Sequence, residues 1–104
     1  MKYFIDNKKK NVNTELSAII NCNFDNLERV KDIEESGLCI ISNKEYEKDV
    51  FILLLLLIPN SLPIQAFAYI AWQKKINENI YETCIEFCYM AEEGKKILRN
   101  YIQI

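Results

Sequence analysis

The sequence predicts a mostly α fold: a compact single-domain bundle of about five helices, with at most a minor two-stranded β element. Three observations predict it. The chain has 104 residues, half of them apolar and 27% charged, the composition of one globular domain spanning 1-104. Only two glycines occur, Gly37 and Gly94, and tight hairpins draw on glycine. Three pairs of the capping-box type, Asp25 with Glu28, Ser42 with Glu45 and Asn79 with Glu82, stand where helices would begin.

The elements follow in chain order. Residues 2–6 (KYFID) read as a short strand or ordered arm, and 7–13 as a lysine-rich loop. A short helix follows Thr14 and carries Leu16, Ile19 and Ile20. Asp25 opens a second helix, which Gly37 ends in the position where a left-handed residue closes a helix. The apolar, β-branched run 38–42 (LCIIS) is a strand paired with the N-terminal arm, or a buried connector. Ser42 starts a helix that is apolar nearly all round over 50–58, which makes it the centre of the core. Pro59 stops it. Asn60 or Ser61 caps the next helix, which runs to residue 75 with Pro63 in its first turn. A helix from Asn79 ends at Gly94, and 95–104 form a final short helix or a tail.

Charge and composition exclude much chemistry. Thirteen basic and fifteen acidic side chains give a net charge of -2, and histidine is absent. Ser-His-Asp and Cys-His sites, zinc fingers with histidine ligands and an imidazole base are thereby removed. With two glycines there is no glycine-rich phosphate loop. The lysine runs 8–10, 74–75 and 95–96 are too short for a nucleic-acid footprint, so direct nucleic-acid binding is not expected. No Asp or Glu lies in an apolar run that would raise its pKa, and nothing favours a paired-carboxylate hydrolase. The expectation is a protein that is not an enzyme, with no catalytic residues, metal or cofactor.

Four cysteines occur: Cys22, Cys39, Cys84 and Cys88. The N-terminus has the reverse order of a secretory signal, so a cytoplasmic location and four free thiols are expected. Cys84 and Cys88 are four apart and fall on the inner face of the helix from Asn79, as small core residues. A membrane reading competes with this one. Residues 50–73 carry no charge, and Trp72 with Lys74 and Lys75 follows like an interfacial border. Pro59, Asn60, Ser61 and Pro63 interrupt that segment near its middle, where lipid could not satisfy the backbone.

Helical spacing of 100 degrees per residue groups the acids into two stripes. Asp25, Glu28, Asp32 and Glu35 lie opposite Leu27, Val30 and Ile33. Glu82, Glu86 and Glu93 lie opposite Ile80, Cys84, Phe87, Cys88 and Ala91, with Tyr89 among the acids as a candidate aromatic anchor. Like charges four apart cost a few tenths of a kcal/mol, so a one-signed stripe suits a basic partner. In size, acidity and acidic stripes such as Asp25/Glu28/Asp32/Glu35, the profile resembles small bacterial toxin-immunity proteins, of the contact-dependent growth inhibition or colicin immunity type. The bias of eleven lysines to two arginines fits an AT-rich coding sequence. The resemblance implies a non-catalytic inhibitor that neutralises a cognate basic nuclease toxin by blocking its active site or substrate groove. A phage-encoded inhibitor of a host defence nuclease would be the same physical object, and a small membrane-associated protein using 50–73 is the alternative from another class.

Overall fold

The computed structural model describes residues 10–11 and 16–103. Seven strands and one helix follow in order: β1 (Lys10–Asn11), β2 (Ser17–Ile20), β3 (Leu27–Glu34), β4 (Gly37–Ser42), β5 (Phe51–Leu57), β6 (Ile64–Asn77), β7 (Ile80–Met90) and α1 (Glu92–Gln103). This overturns the helical bundle. Among the described residues, the segments expected to be helices after Thr14 and from Asp25, Ser42, Asn60 and Asn79 are strands and turns, and only Glu92–Gln103 is α-helical. The expected arm at 2–6 and most of the loop at 7–13 lie outside the described residues.

All pairings are antiparallel. β2, β3 and β4 form one meander, β5, β6 and β7 another. The meanders join along two seams, β2 with β5 and β4 with β7, so six strands close into a barrel. β5 returning to lie beside β2 makes a Greek key. β1 lies on the line of β2, pairing Lys10 with Ile33 and Asn11 with Asp32. Of the two readings of the run 38–42, strand or buried connector, it is a strand, and its partners are β3 and β7.

Strand periodicity explains the core. β5 alternates, with Ile52, Leu54 and Leu56 buried inside and Phe51, Leu53, Leu55 and Leu57 turned outward. Ile64, Ala66, Ala68 and Ile70 of the neighbouring β6 lie beside them on the inner face, with Val30, Ile33, Leu38, Ile40 and Ile85 among the other interior residues. Each large side chain so buried contributes about 1.5–3 kcal/mol of hydrophobic stabilisation. One end of the barrel is closed by α1, whose Leu98 is buried and whose Ile97, Tyr101 and Ile102 pack on the core. The loop 43–50 lies at the other end and inserts Tyr46 against the core.

Glycine scarcity misled because this chain turns without glycine. Among the described residues the left-handed positions are Asn21, Cys22, Asp49 and Asn60, and asparagine and aspartate tolerate that conformation better than other side chains. Two hairpins close over only two residues each, 35–36 and 78–79, with no positive φ at all. The cap pairs are turn features. Ser42 Oγ accepts a hydrogen bond from Lys44 N at 2.9 Å, and Asn23 Oδ1 accepts from Asp25 N at 3.0 Å in a short 3-10 turn. Both satisfy backbone donors locally, as an N-cap would, without starting an α-helix. Gly37 begins β4 and Gly94 lies in the first turn of α1, so neither terminates a helix.

Candidate functional site

Once the chain is a barrel, the two acidic stripes dissolve. Asp25 is exposed in the 3-10 turn. Glu28 shares the inward face of Val30 and is buried at the end of the barrel beneath loop 43–50. There the Tyr46 hydroxyl donates to its carboxylate, and Lys44 Nζ lies 3.9 Å away. Burial, followed by the hydrogen bond to Glu28, pushes the Tyr46 phenol well above its usual range. Gln73 Nε2 donates to Thr83 Oγ1 at 2.8 Å, extending a polar cluster across this end. Asp32 is buried opposite Cys39, and Glu35 in the hairpin turn accepts from Arg99 Nε at 3.3 Å.

The second stripe is divided differently. Glu82 is bridged by Lys31 Nζ at 2.9 Å, and that hydrogen bond raises the Lys31 pKa against the opposing effect of desolvation. Glu86 accepts from the Tyr69 hydroxyl. Tyr89 and Glu93 remain exposed, and the fold brings these two together: both line a groove of about 230 Å³ with Leu62, Phe67, Gly94 and Ile97.

This groove sits between the outer face of the sheet and the first turn of α1. It continues into an apolar surface on β5, β6 and β7, where Phe67 is paired with Leu53 on one side and Tyr89 on the other. One step along, Phe51 is paired with Tyr69, their rings tilted with centroids 5.9 Å apart. Phe51 is 74% exposed, Phe67 56%, Tyr89 63% and Leu62 78%. β6 is inverted in size: its alanines 66 and 68 face the interior and its aromatics 67 and 69 face out. A strand stabilising only its own barrel would place the large side chains inside.

Among these residues, Tyr89 and Glu93 were singled out from the sequence. Phe51, Phe67 and Leu62 were not: Phe51 fell in the run 50–58 read as the apolar centre of the core, and Leu62 and Phe67 in the next expected helix were given no role. The alternation of 64–70 (IQAFAYI) was the available sign of a strand with an apolar outer face. The same segment decides the membrane question at the level of helices: 50–73 forms β5, a turn and most of β6, and no described helix is long and apolar enough to cross a membrane.

The cysteines also differ from expectation. Cys39 and Cys84 are cross-strand partners on β4 and β7 and are joined in a disulfide, while Cys22 and Cys88 are free and exposed. The expected grouping of Cys84 with Cys88 inside one helix does not form; burial separates them. Desolvation and the Glu86 charge push the Cys88 thiol up, which lowers its thiolate content.

No family model, curated protein or solved structure matches this chain.

Proposed function

We propose that this protein is a non-catalytic binding domain that grips a protein partner with the aromatic outer face of β5–β7 and the adjoining groove on α1. The observation that carries this reading is the inverted β6, which exposes Phe67 and leaves Tyr69 half-buried on the same outer face, beside the exposed Tyr89, Phe51 and Leu62. Contiguous exposed apolar surface of several hundred Å² is characteristic of interaction sites. Tyr and other aromatics in well-packed pockets supply most of the binding free energy in such interfaces. The absence of histidine supports the non-catalytic role, as does the engagement of Glu28 by Tyr46 and Lys44.

Within this reading the partner is a basic toxin, as in the immunity proteins that the profile resembles. Electrostatics then plays a smaller part than two acidic stripes would have given it. Glu93 stands at the edge of the groove and can meet one basic side chain, while Phe67, Tyr89 and Leu62 carry the affinity.

Affinity purification from the native host with wild type, Phe67→Ser and Tyr89→Ser tests the proposal. One protein should co-purify stoichiometrically with wild type, and recombinant versions of the two should bind. Each substitution should weaken that binding by about 2 kcal/mol or more while leaving circular dichroism unchanged. Equal binding by wild type and both folded variants would refute the assignment, and so would a monodisperse dimer of wild type that both substitutions dissociate.

A further inference from the structure

On the outer face of the barrel, across β4 and β7, three metal-ligating side chains converge. Cys39 and Cys84 are paired directly across β4 and β7, and Glu82 is two residues from Cys84 on the same face of β7. Their ligand atoms lie within 4.8 Å of one another. Both cysteines are buried and Glu82 is half-buried. The sulfurs are bonded to each other, so in this state neither is a thiolate.

We infer that the reduced form of this site binds Zn(II) through Cys39, Cys84 and Glu82, so that disulfide and metal are alternative occupants of one cross-strand clamp. The chemistry balances in two steps. A dithiol donor gives two electrons and two protons to the Cys39–Cys84 disulfide, yielding two thiols, and is itself oxidised to a disulfide. Zn(II) then displaces both thiol protons and forms two Zn–S bonds; one Glu82 oxygen is the third ligand. Thiolates with a carboxylate match the preferences of zinc, whose four-coordinate sites accept S and O donors at about 2.0–2.3 Å. Two sulfurs on a tetrahedral zinc stand under 4 Å apart, which small side-chain rotations from neighbouring strand positions supply.

Charge around the site agrees with a divalent ion. Asp32 faces Cys39 from β3, and Lys74 faces Glu82 from β6. Lys31 holds one Glu82 oxygen at 2.9 Å, and a carboxylate has a second to offer. Reduction adds two thiolate charges beside the Glu82 carboxylate, and a divalent cation offsets them. In the disulfide state the sulfurs carry no charge and that demand for a cation is gone. Metal thus holds β4 to β7 under reducing conditions, and the disulfide does so under oxidising ones.

The test uses the full chain carrying Cys22→Ser and Cys88→Ser, so that only the clamp can respond. Oxidised protein and phosphine-reduced protein, freed of reductant without air, are titrated with Co(II) and then with Zn(II). The reduced form should bind one Co(II) per chain, with a sulfur-to-cobalt charge-transfer band in the near ultraviolet that Zn(II) abolishes. The oxidised form should bind none. Cys84→Ser should lose the band. Glu82→Gln, which leaves the cysteine pair intact, should weaken Zn(II) binding by at least the factor of about ten that metal-site partners are worth. If reduction loosens the fold, Zn(II) should restore the native near-ultraviolet circular dichroism. Reduced protein that shows no thiolate band, that is not restored by Zn(II) after loosening, or whose Glu82→Gln variant binds as tightly as wild type would overturn the proposal.

Discussion

At the scale of single residues, one register step separates core from surface. Leu54 is fully buried among the interior side chains, whereas Leu55 points outward and keeps part of its surface in solvent. A central apolar helix would make the two equivalent. On a strand they differ, so Leu54→Ala should cost about 2–5 kcal/mol by loss of packing and creation of a cavity. Leu55→Ala should cost less than about 1 kcal/mol, by analogy with surface positions. Urea melts of both variants decide it, and equal losses would contradict the alternation. A second residue-scale expectation concerns pH. The Tyr46 phenol has a folded pKa above its unfolded value near 10, because it is desolvated and donates to Glu28. A raised pKa means that the folded protein holds the proton more tightly. That contribution is fully present below about pH 10 and is lost as pH rises above it. Lys31, raised by Glu82, adds a loss in the same direction. Tyr46→Phe should therefore be less stable than wild type at pH 7, and its stability should fall less steeply between pH 9 and 11, as read by melts across that range.

At the scale of elements, the two glycines are under different constraints, and their substitution separates a rigid neighbour from a yielding one. A Cβ on Gly37 would lie 2.2 Å from the Ile85 carbonyl oxygen, in the backbone of β7. Gly37→Ala must push β4 and β7 apart at the start of their ladder and should cost about 2 kcal/mol or more. A Cβ on Gly94 would meet Ile64 Cγ2 at 2.8 Å and Met90 Cγ at 3.1 Å, both side-chain atoms. There the strain is partly offset by the helix propensity of alanine, about 1 kcal/mol over glycine, so Gly94→Ala should be the milder change in denaturant melts. The elements were only partly legible in the sequence. A C-terminal helix over 95–104 was one of two readings of that segment, and it begins earlier, at Glu92; a strand over 38–42 was one of two readings of that run. The run 50–58 was ambiguous, since an uninterrupted apolar segment fits a buried helix and a strand equally. Local chemistry then tipped the reading: Ser42 serves a turn with the same side-chain bond that caps a helix, and Asp25, read as a cap, instead donates its backbone N–H to Asn23. For the candidate site, Tyr89 and Glu93 were found through a helical argument that does not hold, and they meet because β7 and α1 are consecutive. Phe51, Phe67 and Leu62 could be recognised only once strand register placed them outside.

At the scale of the whole molecule, the barrel depends on joining two meanders that are each local in sequence. The β4–β7 seam is the longer of the two junctions, with six paired residues from Gly37 opposite Glu86 to Ser42 opposite Tyr81. The Cys39–Cys84 disulfide crosses it and closes a chain segment with a sequence separation of 45. A cross-link of this kind acts mainly on the unfolded chain, by removing loop-closure entropy, and is worth about 2–4 kcal/mol. The ladder and the interior side chains persist without it, so reduced protein should retain the native fold with stability lowered by about that amount. The kinetic consequence is more specific. In the oxidised chain the long-range contact between the meanders is already made before folding begins. In the reduced chain it must be found by diffusion, against the entropy of closing that loop. Reduction should therefore lower the folding rate by about 30-fold or more, the kinetic equivalent of about 2 kcal/mol, while the unfolding rate changes little. Stopped-flow chevrons of oxidised and reduced protein, both in the presence of a metal chelator, measure the two limbs separately. A change confined to the unfolding limb would mean that β4 and β7 meet only after the rate-limiting step, and the meanders would then assemble through the β2–β5 seam first.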